Sequence, residues 1–443
     1  MANQSTLPIG EKIRQIRKEK GLSQVNMATA IGKSQSFVNR IEQGQADCTQ
    51  ELLTEIKKFL GIENAPLLEH EVTQYQNRLC ICNDMVIANR MTEAEIMLQE
   101  MFPVEELPYE HELIILRALV SAGILYYKDE LYGILLTDTQ LAEFTVVQQN
   151  LDSLFSSFDG ESVLVNQLYN YIKGIYYSKH HDLKNTLLYY KKAYDIKTNE
   201  ARTISRIARA IGSCYISFGK PFHAIRYLEQ SLSLFSGDRS DNHNAAVSAE
   251  LAICYETVGE YEKAKELYET NLAALRSIYG NKVELSKALV NTAALYNKMN
   301  KYEEAVSLLD QSIALTKDIK QMYFAALSNK LDSLMYLQRT SEFEELLQHC
   351  LSIAQGNEFF IKAFETIGHI ATIKEAASME YLEKVSIPLF YGGEKPHISS
   401  LTMLIDICKA LEGQYRKKRQ IKNANAIAAI LRDIYEGMIF VED

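Results

Sequence analysis

The N-terminal fold is decided by residues 21–44, which read GLSQVNMATAIGKSQSFVNRIEQG. The stretch has a glycine at each end and another, Gly32, near its middle, and glycine readily adopts the backbone conformation that ends a helix. Ser23 and Ser34 are good N-caps, because a serine hydroxyl accepts a hydrogen bond from a free N–H of the first helical turn. The stretch therefore predicts two short helices joined by a tight turn.

Amphipathic helices are predicted on both sides of this stretch. Residues 9–17 place three isoleucines on one helical face, and residues 51–60 place leucines, an isoleucine and a phenylalanine on another. Two helices joined by a tight turn, the second with a polar outer face, form a layout in which the second helix can enter the major groove of DNA.

The polar residues of the second helix fit base recognition. Arg40 can donate two parallel hydrogen bonds to guanine, and Gln35 can pair in the same way with adenine. Lys33, Ser34 and Gln45 flank the helix where backbone phosphates would lie. The alternative is that these are ordinary solvent-facing residues of a small helical domain.

The motif residues resemble the Cro and phage-repressor (XRE) type of helix-turn-helix. The resemblance covers residues 9–62 and rests on three groups: Arg17-x3-Gly21-Leu22-Ser23-Gln24, Ala28-x3-Gly32-x-Ser34 and Ile41-Glu42-x-Gly44. It implies a DNA-binding domain over residues 1–65. By position, it implies that Gln24 contacts a phosphate and that Arg17 and Glu42 form a largely buried ion pair. The implied base-reading positions are Gln35, Ser36 and Arg40.

The remainder, residues 66–443, repeats with a period near 40 residues. Tyrosines recur at this period, each three residues after a small residue: Gly174 and Tyr177, Gly212 and Tyr215, Ala252 and Tyr255, Ala293 and Tyr296, Ser333 and Tyr336. A small residue lets two helices approach closely, and hairpins of this kind bury their apolar faces by stacking. The pattern resembles the tetratricopeptide repeat. We therefore expect an all-α chain in which a right-handed α-solenoid of about nine hairpins follows the head, with the tyrosines serving as packing residues.

Composition narrows the function classes. Residues 1–60 carry a net charge of +3 against −10 for the whole chain, so a small basic head precedes an acidic body. No apolar run is long enough to span a membrane, no signal peptide is apparent, and the seven cysteines are mostly far apart. We expect a cytoplasmic protein with reduced cysteines. No set of catalytic or metal-ligating residues is evident, so we expect neither an enzyme nor a cofactor.

The first helix of each hairpin is expected to line a concave groove. Asparagine there can hold both the N–H and C=O of a peptide backbone, and arginine or lysine can hold a carboxylate. In each hairpin, positions at set distances in sequence from the small residue are expected to face this groove. The candidate peptide-binding residues at these positions are Tyr171, Arg206, Arg209, Ser213, Asn291, Asn297, Lys330 and Gln338. The alternative for each is an ordinary polar surface.

The combination of both parts resembles the peptide-pheromone receptors of Gram-positive bacteria, the RRNPP group. That resemblance implies a dimeric transcription regulator, in which a short signalling peptide bound in the groove switches binding to an inverted-repeat operator in double-stranded DNA. Two alternatives stay open. The repeats could instead bind a protein partner, or the body could resemble the Rap-type phosphatases and inhibitors of response regulators.

Overall fold

The computed structural model describes residues 8–87, 90–104, 110–128, 137–158, 162–198, 201–234, 242–277, 282–391 and 398–439. These residues form helices and connecting turns, with no β-strand among them. The chain divides into two compact units, Met1–Thr198 and Asn199–Asp443. Among the described helices, none combines the length and the apolar character needed to cross a lipid bilayer.

The first unit holds the head and the first hairpins. Its helices are α1 Ile9–Glu19, α2 Gln24–Ala30, α3 Gln35–Glu42, α4 Gln50–Leu60, α5 Glu69–Ile87, α6 Met91–Glu100, α7 His111–Lys128, α8 Asp138–Ser156, α9 Val163–Lys179 and α10 Leu183–Asp195.

The second unit continues the hairpins. Its helices are α11 Ala201–Ser217, α12 Pro221–Leu234, α13 Asn242–Thr257, α14 Tyr261–Ser277, α15 Lys282–Lys298, α16 Tyr302–Leu315, α17 Lys320–Tyr336, α18 Thr340–Ile353, α19 Glu358–Ala371, α20 Ala376–Tyr381, α21 Ile387–Tyr391, α22 Ile398–Lys417 and α23 Ile421–Ile439. A π-helical turn, Leu382–Ser386, joins α20 to α21. The last helix, α23, returns to contact α12 of the first hairpin in this unit.

The predicted caps of the head are confirmed. The Ser23 hydroxyl accepts from the Asn26 N–H at 3.0 Å, and the Ser34 hydroxyl accepts from the Phe37 N–H at 3.2 Å. Gly32 has φ +63°, the left-handed conformation that the turn between α2 and α3 requires. The serines and the glycine thus determine where the two short helices begin and where the turn lies.

The hairpins pack closely at the predicted small residues. A Cβ atom added to Gly174 would lie 2.4 Å from the Tyr190 ring, and one added to Gly212 would lie 2.7 Å from Leu228. The large residue of the second helix therefore fills the space above the glycine of the first. This confirms the spacing read from the sequence for these two hairpins.

The repeated tyrosines join neighbouring hairpins. Tyr296 on α15 donates its hydroxyl hydrogen to Glu269 on α14 at 2.6 Å, and Tyr255 on α13 donates to Glu229 on α12. Tyr415 on α22, outside the five repeated tyrosines, donates in the same way to Glu383 in the π-helical turn before α21, at 2.6 Å. Each bond joins the first helix of one hairpin to the helix before it, which supports the packing role expected for these tyrosines.

In the hairpin of α17 and α18, the fifth of those marked by a predicted tyrosine, the repeat begins two residues earlier than the sequence pattern predicts. Four earlier turns place a residue of positive φ seven positions after the small residue, whereas here the positive φ falls at Gln338, seven positions after Leu331. Leu331 is fully buried, and Tyr336 is 56% exposed instead of packed inside. The prediction of Ser333 and Tyr336 as the repeat pair is therefore wrong, because a large leucine stands at the position where the other hairpins have a small residue.

We expect Gly174→Ala to destabilise the protein by about 1–3 kcal/mol, because the added methyl group overlaps the Tyr190 ring. Gly413→Ala is the matched control. Gly413 also lies in a helix, α22, but a Cβ there meets no atom within 4 Å, so alanine should stabilise by about 0.5–1 kcal/mol through helix propensity. Urea denaturation measures both effects, and equal destabilisation by the two substitutions would contradict close packing at Gly174.

Candidate nucleic-acid interface and ligand-binding face

The outer face of α3 carries the expected DNA-reading side chains. Gln35, Ser36 and Arg40 are exposed, and the Arg40 guanidinium lies 5.6 Å from the centre of the Phe37 ring. Lys33, Ser34 and Gln45, the expected phosphate contacts, are also exposed. The single acidic residue of α3, Glu42, is buried, so no carboxylate on this helix repels a phosphate backbone.

The ion pair implied by the resemblance is present. Arg17 donates from Nε to Oε1 of Glu42 at 2.6 Å and from Nη2 to Oε2 at 3.0 Å. Its Nη1 donates to the Leu22 carbonyl at 2.6 Å, which ties the start of α2 to the same residue. Burial opposes ionisation of Glu42, but hydrogen bonds from Arg17 and Gln24 outweigh it and hold the Glu42 pKa below its usual value. This paired carboxylate joins the end of α3 to α1.

Gln24 is engaged within the protein. Its side-chain amide donates to Glu42 at 2.8 Å and to Asn39 at 3.2 Å. A glutamine amide has two N–H donors, so both are committed in this arrangement. Donation to a phosphate by Gln24, as the resemblance implies, would require one of these bonds to be exchanged. Asn39, which the sequence pattern did not indicate, lies on α3 and accepts a hydrogen bond from Gln24.

Buried ion pairs fasten the head to the helices that follow it. Lys12 on α1 donates to Glu110, just before α7, at 2.6 Å and to the Leu67 carbonyl at 3.2 Å. The Lys12 side chain is 3% exposed and that of Glu110 is 10% exposed. Because water scarcely reaches this pair, its separation would leave a buried charge uncompensated.

A second ion pair joins α4 to α5. Lys57 bonds both carboxylate oxygens of Glu71 on α5, at 2.7 and 2.9 Å. Glu71 also accepts from the backbone N–H groups of Leu67 and Leu68 at 2.9 Å. The segment that joins the head to α5 is therefore held at several points, and α1 and α4 are both fixed to the first hairpins.

The candidate peptide-binding residues are mostly engaged with neighbouring hairpins. Arg209 on α11 pairs with Glu250 on α13 at 2.8 Å, and Ser213 bonds the other oxygen of Glu250 at 2.7 Å. Asn297 on α15 donates to the Asn329 carbonyl at 3.1 Å and accepts from Ser333 at 2.7 Å.

The other candidates are dispersed. Tyr171 is buried, with its hydroxyl 3.1 Å from that of Tyr127, and Arg206 is buried on α11. Asn291 is half-buried on α15. Lys330 pairs with Asp310 on α16 at 2.6 Å, and Gln338 lies in the turn after α17 with φ +59°. Lys330 and Gln338 were chosen by their distance in sequence from Ser333. Because the repeat position is Leu331 and not Ser333, that reason for choosing them no longer holds.

An acidic cluster lies on the first helices, and of its carboxylates the sequence pattern indicates Glu256 but not the other two. Lys298 on α15 lies 3.2 Å from Glu256 on α13, and Tyr268 donates to Glu256 at 3.1 Å. Asp332 on α17 and Asp406 on α22 lie close enough for their charges to interact with each other and with Lys298. Three carboxylates thus share one lysine.

Sequence signals exist for part of this cluster. Glu256 lies four residues after Ala252, the offset that selected Asn297 from Ala293. Lys298 lies five residues after Ala293, the offset that selected Gln338 from Ser333. Asp332 lies one residue after Leu331, the offset that selected Ser213 from Gly212. No sequence signal places Asp406 there, because it arrives from the last long hairpin.

The cluster shifts the ionisation of Asp332. Burial together with the negative charge of Asp406 raises the pKa of Asp332 to about 7, with Lys298 acting in the opposite direction. An arriving positive charge would favour the ionised form of both aspartates. The cluster therefore suits a cationic group of a ligand.

Known protein families match both the head and the repeats of this chain. The helix-turn-helix family matches residues 13–63, which contain α2, α3, α4 and the part of α1 from Ile13 onward. The tetratricopeptide repeat family matches residues 243–318, which contain α13 to α16. The chain thus joins a helix-turn-helix segment to tetratricopeptide repeats.

Relatives and solved structures match a large part of the chain. The transcriptional activator NprA of Geobacillus stearothermophilus is 22% identical over 329 residues, covering 70% of this chain and 77% of NprA. Among solved structures, the apo quorum sensor NprR from B. thuringiensis superposes with TM-score 0.61 and 18% identity, covering 82% of this chain and 99% of NprR. A Rap protein complexed with competence and sporulation factor has TM-score 0.63 and 14% identity, covering 83% and 99%. At these identities the structural likeness establishes the fold.

We expect Glu110→Gln to destabilise the protein by about 3–5 kcal/mol, because it leaves the Lys12 charge buried without its partner. Glu93→Gln is the control, since the Arg90–Glu93 pair is exposed and its loss should leave stability unchanged. Chemical denaturation with a probe on the head measures the difference. Equal stability of the two variants would show that the Lys12–Glu110 pair does not hold the head.

We expect Asp332 to contribute a fall in folding stability as pH rises from about 4 to about 7, and we expect Asp332→Asn to remove that contribution. The sign follows because a carboxyl whose pKa is raised on folding binds more protons in the native state, so a higher pH favours the unfolded chain. Asp406→Asn should lower the Asp332 pKa and flatten the same profile. Denaturation at several pH values checks this, and an unchanged slope in both variants would contradict the coupling.

Proposed function

We propose that this protein is a transcription regulator that binds an inverted-repeat operator as a homodimer and is switched by a short signalling peptide bound to its repeats. The observation that carries the DNA-binding role is the exposed, carboxylate-free face of α3, held against α1 by the buried Arg17–Glu42 pair. A rigidly placed helix with arginine and glutamine on its outer face suits direct readout of the major groove.

The peptide-binding role is supported by fold likeness and by the polar face of the first helices. NprR has been solved with its cognate peptide NprX, and that complex superposes on this chain with TM-score 0.55 and 18% identity, covering 82% of the chain. In this chain, Arg209, Ser213 and Asn297 bridge neighbouring hairpins through bonds that a peptide backbone could replace. We propose that a cationic group of the peptide is held at Asp332 and Asp406.

The switch would act through the head attachment. Peptide binding that favours one arrangement of the hairpins would shift the population toward it. The Lys12–Glu110 and Lys57–Glu71 pairs would pass a displacement of α5 and α7 to the recognition helix. We propose that the protein acts in the cytoplasm by binding alone, without an enzymatic step or a cofactor.

We expect Arg40→Ala and Gln35→Ala each to weaken operator binding by roughly 1–3 kcal/mol and to relax base preference at one position. Lys33→Ala should instead weaken binding to all sequences and lower the salt slope by about one. An operator selected from random DNA and titrated by fluorescence anisotropy at several salt concentrations would distinguish these effects. Unchanged affinity and base preference in the Arg40→Ala, Gln35→Ala double variant would contradict base reading by α3.

Calorimetry distinguishes a signalling peptide from a protein partner as the ligand of the repeats. Titration with the short peptide encoded by a small neighbouring gene should release heat, and Asp332→Asn with Asp406→Asn should weaken that binding. Lack of peptide binding, with operator binding intact, would leave the DNA-reading role standing and favour a protein partner for the repeats.

A further inference from the structure

Asn39 lies on α3 among the side chains expected to read DNA. It stands four residues after Gln35 and one residue before Arg40, and Gln43 follows four residues later. Residues four apart share one face of an α-helix, so Gln35, Asn39 and Gln43 form a single row. Gln35 and Gln43 are exposed, and Asn39 is half-buried. Asn39 is therefore the middle member of a polar row on the outer face of the helix.

A chain of hydrogen bonds leads from the buried Arg17–Glu42 pair to Asn39. Arg17 donates twice to Glu42. Gln24 donates from Nε2 to Oε2 of Glu42 at 2.8 Å and from the same nitrogen to Oδ1 of Asn39 at 3.2 Å. Nε2 of Gln43 lies 3.5 Å from that Oδ1, at the outer limit of a hydrogen bond. The chain of bonds therefore ends on the carbonyl oxygen of Asn39.

The carboxylate of Glu42 determines the direction of this chain. An ionised carboxylate can only accept hydrogen bonds, so the Gln24 atom that bonds it must be the amide nitrogen. The second N–H of that nitrogen then needs an acceptor, which is Oδ1 of Asn39. Reversing the Gln24 amide would place its oxygen against two other oxygens. Reversing the Asn39 amide would place two nitrogen donors against each other, so both orientations are fixed by chemistry.

The Nδ2 amino group of Asn39 is left with two unused N–H donors. It makes no hydrogen bond to any residue that the structure describes, and it is not one of the enclosed polar atoms that lack a partner. It is therefore open to solvent, while Oδ1 is committed to Gln24. A freely turning asparagine pairs with adenine through one donor and one acceptor. Asn39, held in this orientation, presents donors only.

We propose that Asn39 reads one base pair of each half-site as a donor-only amide and selects guanine there. The inference rests on the proposed DNA-binding function and names a further base-reading residue for it. In the major groove guanine presents two acceptors, N7 and O6, adenine and thymine present one each, and cytosine presents none. Adenine also presents its N6 amino group, for which this amide has no acceptor to offer.

The base pair that Asn39 reads differs from the one expected for Gln35. Four residues of α-helix span about 6 Å, which is nearly two base-pair steps of about 3.4 Å. The same bonds make Gln24 a positioning residue, since its two N–H donors hold the Asn39 amide in its orientation. Loss of Gln24 would let that amide turn over and pair with adenine.

The first test measures base preference with the full-length protein on an operator selected from random DNA. The Asn39 position is the one at which Asn39→Ala loses its preference. We expect wild type to bind guanine there roughly fivefold or more tightly than cytosine, and Asn39→Ala to bring all four base pairs within about twofold. Asn39→Asp should shift the preference toward cytosine, because a carboxylate accepts from the cytosine N4 amino group.

The second test leaves Asn39 in place and removes its support. Gln24→Ala should raise the affinity for adenine at the Asn39 position to within about twofold of that for guanine, because the freed amide can present both its donor and its acceptor. A structural role for Gln24 would weaken binding to all four base pairs alike. A guanine preference that Gln24→Ala leaves unchanged would overturn the fixed orientation and with it the proposal.

Asn26→Ala is the matched control for Asn39→Ala. Asn26 lies on α2, where its side chain accepts from the Ser23 hydroxyl at 2.7 Å, and its loss should leave base preference unchanged at every position. Equal melting temperatures of the two variants would show that any difference is not unfolding. Asn39→Ala that changes no position, or that weakens all sequences equally as a phosphate contact would, overturns the proposal.

The Gln35→Ala and Arg40→Ala variants separate this inference from the function on which it rests. If they change base preference as expected while Asn39→Ala does not, the proposed function stands and only the role of Asn39 fails. If no operator is selected, or if base preference survives in the Gln35→Ala, Arg40→Ala double variant and in Asn39→Ala, base reading by α3 fails and the role of Asn39 fails with it.

Discussion

The repeats depend on the close approach of two helices at a residue with little or no side chain. At Gly212 the Leu228 side chain occupies the space that a Cβ atom would take. Helices packed this closely bury the contact between them but leave apolar surface on their outer faces, so each hairpin needs neighbours. Bonds such as Tyr296 to Glu269 then fix the neighbour's position. One steric constraint, applied hairpin after hairpin, thus produces the long polar face that the proposed sensor role requires.

Buried contacts also connect the head to the repeats. The proposed DNA-reading helix, α3, is held by Arg17 and Glu42, and the head itself is held by Lys12 and Glu110. A buried ion pair contributes little net stability compared with apolar packing, but it strongly disfavours any arrangement that separates its charges. The head is therefore fixed in its orientation to α7. In a regulator, such an attachment would let a change in the hairpins alter how the recognition helix is presented.

Much of the head could be predicted because its signals are local. Ser23, Ser34 and Gly32 act within one or two helical turns, and the Arg17–Glu42 pair followed from a resemblance specific enough to place both residues. The repeats were predictable wherever a small residue marked the hairpin. The prediction was wrong for the hairpin of α17 and α18 because Leu331 occupies the position of the small residue. The repeat pattern then matches Ser333, two residues later.

The sequence by itself determined the helical class, the helix-turn-helix and the repeat spacing, since these depend on caps, glycines and residue periodicity. Only the tertiary structure decided which polar groups meet. Lys12 meets Glu110 across 98 residues of chain, and Asp406 joins Asp332 because the last long hairpin returns to the same face. The Oδ1 atom of Asn271 is buried without a hydrogen-bond partner among the residues that the structure describes. Such encounters depend on how stacked hairpins turn, and no local pattern of residue types specifies that.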